Sequence, residues 1–170
     1  MNTLPWRLWS GLILAYAVLA SFHLGGLRWD SDEGINWAKG SLVAEAWTGG
    51  GEAELYDAIW SDQPPLYTLA SALPIAGAGI PGARLVTVLL SLSGLLGVAL
   101  AASALARAVG LPPGVAGRAG SVAILVLALA PNFWWASRAA MIGLPAFSLG
   151  TLAMGLLFWY ALEVRLLLLA

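Results

Sequence analysis

Asp30, Asp32 and Glu33 fall within four residues of one another in "WDSDEGINWAKG", directly after a long apolar run. A carboxylate standing at a membrane surface can take the proton from a hydroxyl as that oxygen attacks. Asp32 is the first candidate for such a base, or for a carboxylate that binds the hydroxyl; Glu33 is the second. The structural alternative for Asp32 is a cap on a helix beginning near Gly34, a role aspartate fills readily. Asp30 reads as a solvated loop residue. Arg84 and Arg138 each stand beside a long uncharged run, where a guanidinium could clamp phosphate through its fixed fork of donors. The simpler role for both is snorkelling at an interface.

The surrounding chain decides what these residues can meet. It has 170 residues, of which 60% are hydrophobic and 10% charged, with a mean hydropathy of +0.84. Soluble domains carry about 25% charged residues, so the composition is that of a membrane protein. The net charge is −1 and the basic residues are scattered singly, which gives no footprint for nucleic acid. There is no cysteine and His23 is the single histidine. Disulfides, iron–sulfur clusters, thiolate zinc sites and multi-histidine metal sites are thereby excluded.

Four uncharged runs reach the roughly 20 residues that a bilayer crossing needs. They cover 8–27, 85–106, 119–137 and 140–162, and tryptophans cluster near their ends. The expected fold is therefore all-α and polytopic, with about four transmembrane helices and one long loop, 28–83. The first run is longer than the 7–15-residue core of a cleaved signal peptide, which favours a retained anchor. Pro64 to Ala83 is uncharged but rich in proline, and Leu66 to Leu73 reads as a short helix lying at the membrane face. His23, inside the first run, is expected to hydrogen-bond a neighbouring helix.

Eight of the nine acidic residues lie in the long loop, between Asp30 and Asp62. The 107–118 loop is short, basic and free of acid, so the positive-inside rule places it in the cytoplasm and the long loop outside. Ile35, Ala38, Leu42 and Ala46 recur at helical spacing and predict an amphipathic helix on the bilayer, with Lys39 snorkelling from its edge. The glycines of "WTGGGEAE" end that helix. Glu52, Glu54 and Asp57 read as a solvated face, while Gln63, Pro64 and Pro65 shape the return to the membrane.

Four segments recur in a familiar order: "DEGINWAKG" after the first span, "SDQPPLYTLASAL", "GARLVTVLLSLSGLLGVALAASALAR" and "LALAPNFWWASRAAMIGLPAFSLGTLAM". Together they resemble the GT-C superfamily of membrane glycosyltransferases. The likeness is strongest to the dolichyl-phosphate-mannose–protein mannosyltransferase group and its bacterial polyprenyl-phosphate-sugar relatives. The resemblance covers nearly the whole chain and implies that 1–170 is the N-terminal part of such a transmembrane domain, with "EVRLLLLA" entering a further span. It implies transfer of a hexose or pentose from a polyprenyl phosphate to a hydroxyl on a protein, glycan or lipid. The setting it implies is the outer face of a bacterial plasma membrane. Asp32 would be the base, with Glu33 second, and Arg84 and Arg138 would bind the lipid phosphate. No cofactor is called for, and a divalent cation is left open. Relatives often carry a second acid near the position of "MIGLP", where this chain has Gly143.

Two other readings remain at this stage. A transporter would place ionisable or Gly/Pro-broken segments within its spans. A non-enzymatic subunit would use small residues such as those of "GLLGVALAASALA" to pack against a partner.

Overall fold

Proline sits at or beside the first turn of six of the seven helices, where its missing N–H costs nothing and its fixed φ suits helix entry. In the computed structural model, which describes residues 5–27, 31–49 and 65–168, these helices are the regular structure of the described chain. They are α1 (Trp6–Ser21), α2 (Ser31–Trp47), α3 (Pro65–Ala78), α4 (Ile80–Ala108), α5 (Pro113–Leu129), α6 (Pro131–Ser137) and α7 (Gly143–Leu168). A 3-10 turn, Leu24–Gly26, follows α1. Asp30, Glu52, Glu54, Asp57, Asp62, Gln63 and Pro64 lie outside the described residues.

α4 is the central helix and touches all the others. It runs parallel to α7, because Gly94 meets Ser148 and Gly97 meets Thr151, Leu152 and Gly155. A Cβ on Gly97 would stand 2.5 Å from the carbonyl of Thr151. Only glycine permits this approach, which brings two backbones into contact as small residues do in membranes. α1 runs alongside α5 and α6: the Trp9 indole donates to the Gly117 carbonyl at 3.2 Å, and the Tyr16 hydroxyl lies 2.5 Å from the Ser137 Oγ. Two apolar clusters fill the bundle, one around Tyr16, Ala20, Val88, Leu95 and Phe133, the other around Trp9, Ala99, Leu100 and Ile124.

The surface inverts the pattern of a water-soluble protein. Leu14, Leu19, Val126, Leu129, Leu156 and Leu157 are more than half exposed. Ser71, Thr87, Ser91, Ser103, Ser137 and Ser148 are buried. Apolar faces turned outward over a partly polar interior match a hydrocarbon solvent.

The all-helical expectation holds, but the spans differ from the four expected. Two helices, α4 and α7, are long and apolar enough to cross a membrane, and three spans result if α5 and α6 are taken together. The 85–106 run lies inside α4, and the 140–162 run becomes helical only from Gly143. The 8–27 run makes a 16-residue helix that stops at Ser21. At about 1.5 Å per residue it falls short of the roughly 30 Å hydrocarbon core. His23 turns the chain there with φ 62°. It is exposed and makes no side-chain hydrogen bond among the described residues, contrary to the helix-to-helix bond expected of it. The 119–137 run is bent by 71° where α5 meets α6. Ala130, held extended before Pro131, ends one helix and opens the next.

In the long loop the short interfacial helix is present as α3, extended past Leu73 through Pro74 to Ala78. Gly79, with φ 60°, turns the chain into α4. The predicted stripe on α2 is also present, and it faces outward: Ile35 and Ala38 are exposed, Leu42 and Ala46 half-buried. The opposite face, Glu33, Asn36, Gly40, Val43 and Ala44, packs inward against α3. Thr48 and Gly49 end α2 where the glycine run begins.

Candidate functional site

Residues separated by up to 118 positions converge at the end of the bundle where α4 and α7 begin. α2 carries Glu33 and Asn36 one turn apart on its inward face; both are buried. α4 supplies Arg84 from its first turns, 1% exposed. The Arg84 Nε donates to Glu33 Oε1 and its Nη2 to Oε2, both at 2.7 Å. This is a fork-to-fork pair, the strongest geometry open to these side chains. The Nη1 group of Arg84 donates to the carbonyls of Leu24 and Leu27, so the guanidinium also closes the 3-10 turn after α1.

Glu33 Oε1 takes a second donor, the backbone N–H of Ala140 at 2.7 Å. Asn36 Nδ2 donates to the carbonyl of the same residue at 2.8 Å. Ala140, fully buried beside Ile75 and Ala83, is thus held at both its polar groups by α2 side chains. A buried ion pair must recover the cost of leaving water through added hydrogen bonds. The Ala140 amide and the two turn carbonyls supply them here.

Arg138 sits between α6 and α7. Its Nε donates to the Ala20 carbonyl at 3.1 Å and its Nη2 to the Phe22 carbonyl at 2.5 Å. These groups end α1, where a cation complements the helix dipole. The guanidinium also lies 5.3 Å from the Trp134 ring centroid, and that ring meets Tyr16 edge-on. Trp134 therefore stacks with Arg138, whereas Trp135 is exposed.

Nearby, the Tyr67 hydroxyl of α3 donates to the Ala83 carbonyl at 3.2 Å and lies 2.9 Å from Thr87 Oγ1. Burial pushes this phenol up to about 12, against the lowering effect of the Thr87 bond, and the Glu33 charge adds to the rise.

The sequence-predicted residues are thus distributed as follows. Glu33 and Arg84 meet each other; Arg138 meets the end of α1. The backbone of Asp32 lies in the first turn of α2, which begins at Ser31, so the helix starts before the position its capping role required. Its side chain lies outside what is described. Sequence reasoning missed Asn36 and Ala140. Asn36 was findable, since three residues from Glu33 places it on the same helical face; nothing local points to Ala140.

An all-helical chain with two or three helices fit to span a bilayer, and an apolar exterior, has the character of an integral membrane protein. No family model matches the chain, and neither a curated protein nor a solved structure does so.

Proposed function

We propose that this chain belongs to a membrane glycosyltransferase that moves a sugar from a polyprenyl phosphate to a hydroxyl acceptor at the extracytoplasmic face. The acceptor oxygen forms a bond to the anomeric carbon as the bond from that carbon to the phosphate oxygen breaks. Asp32 takes the acceptor's proton. The phosphate departs as an anion steadied by Arg138, whose Nη1 makes no hydrogen bond among the described residues.

Glu33 and Arg84 act as positioning residues in this reading. Both carboxylate oxygens of Glu33 are engaged and the side chain is buried, so it does not reach an acceptor. The observation that carries the reading is the lock beside Asp32. Through Glu33, the turn holding Asp32 is tied to Arg84, to Ala140 and, two residues away, to the segment bearing Arg138. A base must be fixed to act, and this arrangement fixes the backbone next to it. The four motifs in family order support the same reading. Of the small residues in "GLLGVALAASALA" that suggested a subunit packing on a partner, Gly94 and Gly97 are covered by α7 of the same chain.

The test is transfer in vitro by the full protein from a polyprenyl-phosphate-linked sugar, comparing Asp32→Asn with Asp62→Asn. The expected loss in Asp32→Asn is about 100-fold or more, the scale of a lost general base, with Asp62→Asn near wild type. Equal losses in the two, or none in Asp32→Asn, remove Asp32 from this role.

A further inference from the structure

The last turns of α2 and α3 both form the wall of a pocket of about 420 Å³, with Trp37, Ser41, Glu45 and Thr48 on one side and Ile75 and Ala76 on the other. That volume lies within the range of roughly 300–1,000 Å³ typical of small-ligand sites. The four α2 residues recur at intervals of three and four, so they share one face of the helix, and that face is turned to the pocket.

The charge pattern of this corner is inverted. A helix C-terminus carries partial negative charge and is ordinarily matched by a basic side chain in its last turn. Neither α2 nor α3 has one. α2 places Glu45 there instead, exposed, and its carboxylate makes no ion pair or hydrogen bond among the described residues. No lysine, arginine or histidine occurs between Lys39 and Arg84. Lys39, two residues from both Trp37 and Ser41, stands on the other side of α2. Arg84 is committed to Glu33 and to the carbonyls of the 3-10 turn. Local rules are broken in this way where a site requires it.

The polar groups of the wall accept rather than donate. A carboxylate offers lone pairs alone. The Thr48 hydroxyl gives its proton to the carbonyls of Ala44 and Glu45, at 3.0 and 3.1 Å, and keeps its lone pairs. The carbonyl of Ala76, in the last turn of α3, takes no backbone donor among the described residues. The Ser41 hydroxyl can turn either way. An anion would be repelled by Glu45 and by both helix ends. A bare divalent cation takes six or more oxygen ligands, and no group of three or more acidic or histidine side chains gathers among the described residues. A primary ammonium has three N–H donors, no acceptor and a positive charge, and so meets every one of these groups.

We infer that this pocket binds a primary alkylammonium, its N–H groups donating to the Glu45 carboxylate and the neighbouring oxygens. The Trp37 indole, 39% exposed, and Ile75 take the alkyl part, and the aromatic wall adds a further attraction for the cation. This chemistry is shared by a free amine and by the ethanolamine headgroup of a phospholipid. Neither Asp32 nor Arg138 lines the pocket, so the site stands apart from the transfer reaction.

The chain has no cysteine, so Ala76→Cys in the full protein, held in phosphatidylcholine nanodiscs, places a single thiol in the wall. Its labelling by a neutral methanethiosulfonate is followed at constant ionic strength with n-butylammonium or, as the uncharged control, butan-1-ol. Butylammonium is expected to slow labelling several-fold and butanol to leave it unchanged. Glu45→Gln keeps the shape and removes the charge, and should raise the amine concentration needed by about tenfold or more, the effect of losing a charged partner. Its melting temperature should not fall, because the change takes an acid from a helix C-terminus, so lost protection is not a lost fold. Exchanging phosphatidylcholine for phosphatidylethanolamine, with no amine added, separates the two sources. Slower labelling that Glu45→Gln abolishes makes the headgroup the ligand; unchanged labelling, with protection by butylammonium, makes it a soluble amine. Equal protection by butanol, full protection in Glu45→Gln, or no protection by either the amine or phosphatidylethanolamine overturns the inference.

Discussion

Glu33 and Asn36, one turn apart on α2, hold opposite poles of a single residue: Glu33 accepts from the Ala140 N–H and Asn36 donates to the Ala140 carbonyl. This two-point grip ties the long loop to the α6–α7 connection, and Arg84 ties the same carboxylate to α4 and to the end of α1. Four parts of the chain meet on one carboxylate.

Breaking that junction from one side should therefore be costlier than removing it whole. Arg84→Met and Glu33→Leu singly are each expected to destabilise by about 3–5 kcal/mol, because each takes the fork-to-fork partner from a buried charge. The double variant should lose less than either single one. Denaturation midpoints in a fixed detergent measure this, and a double loss equal to the sum would speak against it.

Tyr67 gives a pH dependence. Its folded-state value, about 12, lies above the ordinary 10. The folded protein therefore holds this proton where the unfolded chain releases it. The stabilisation is complete below pH 10 and is lost as pH climbs from there through 12. Tyrosinate absorbance should lose one late-titrating tyrosine in Tyr67→Phe, and that variant should show a shallower decline in stability over the same window. It should also cost about 0.5–1.5 kcal/mol at neutral pH, from the lost bonds to Ala83 and Thr87.

The crossing of α4 and α7 separates two glycines that look alike in the sequence. Gly97→Val drives a side chain into the Thr151–Leu152 backbone and should cost about 3 kcal/mol or more. Gly150→Ala meets nothing within 4 Å and should stabilise by up to about 1 kcal/mol, as alanine replaces glycine inside a helix. Thermal unfolding of the two variants, compared side by side, checks both signs.

His23 is the one described residue other than glycine with a positive φ. Histidine tolerates this region better than most residues, yet still at a cost. His23→Gly should raise stability by about 1 kcal/mol, or be neutral if glycine's greater freedom in the unfolded chain offsets the relief. A loss would show that the imidazole does more than turn the chain.

What the sequence disclosed follows the range of each interaction. Helix class and the short α3 were legible, because apolar runs and prolines act locally. Pro131 announced the break between α5 and α6, but the uncharged run around it read as one span. The early end of α1 depends on His23 adopting a left-handed turn, which no glycine or proline marks. On α2 the apolar stripe was visible, but it is the outer face; the inward face mixes Glu33 and Asn36 with Gly40, Val43 and Ala44. The Glu33–Arg84 pair joins residues 51 apart, and the Ala140 contact spans 107. Neither is legible without knowing how α2 folds back on the bundle.

The account turns on the pole carrying Glu33, Arg84 and Arg138 facing away from the cytosol, where a lipid-borne glycosyl donor would meet it. Ile35 is 52% exposed at that pole, and Val109 is 76% exposed at the end of α4 remote from it. With single cysteines at these two positions, a membrane-impermeant maleimide applied to intact cells should label Ile35→Cys at once and Val109→Cys only after permeabilisation. The reverse order would put the pole in the cytosol and contradict the account.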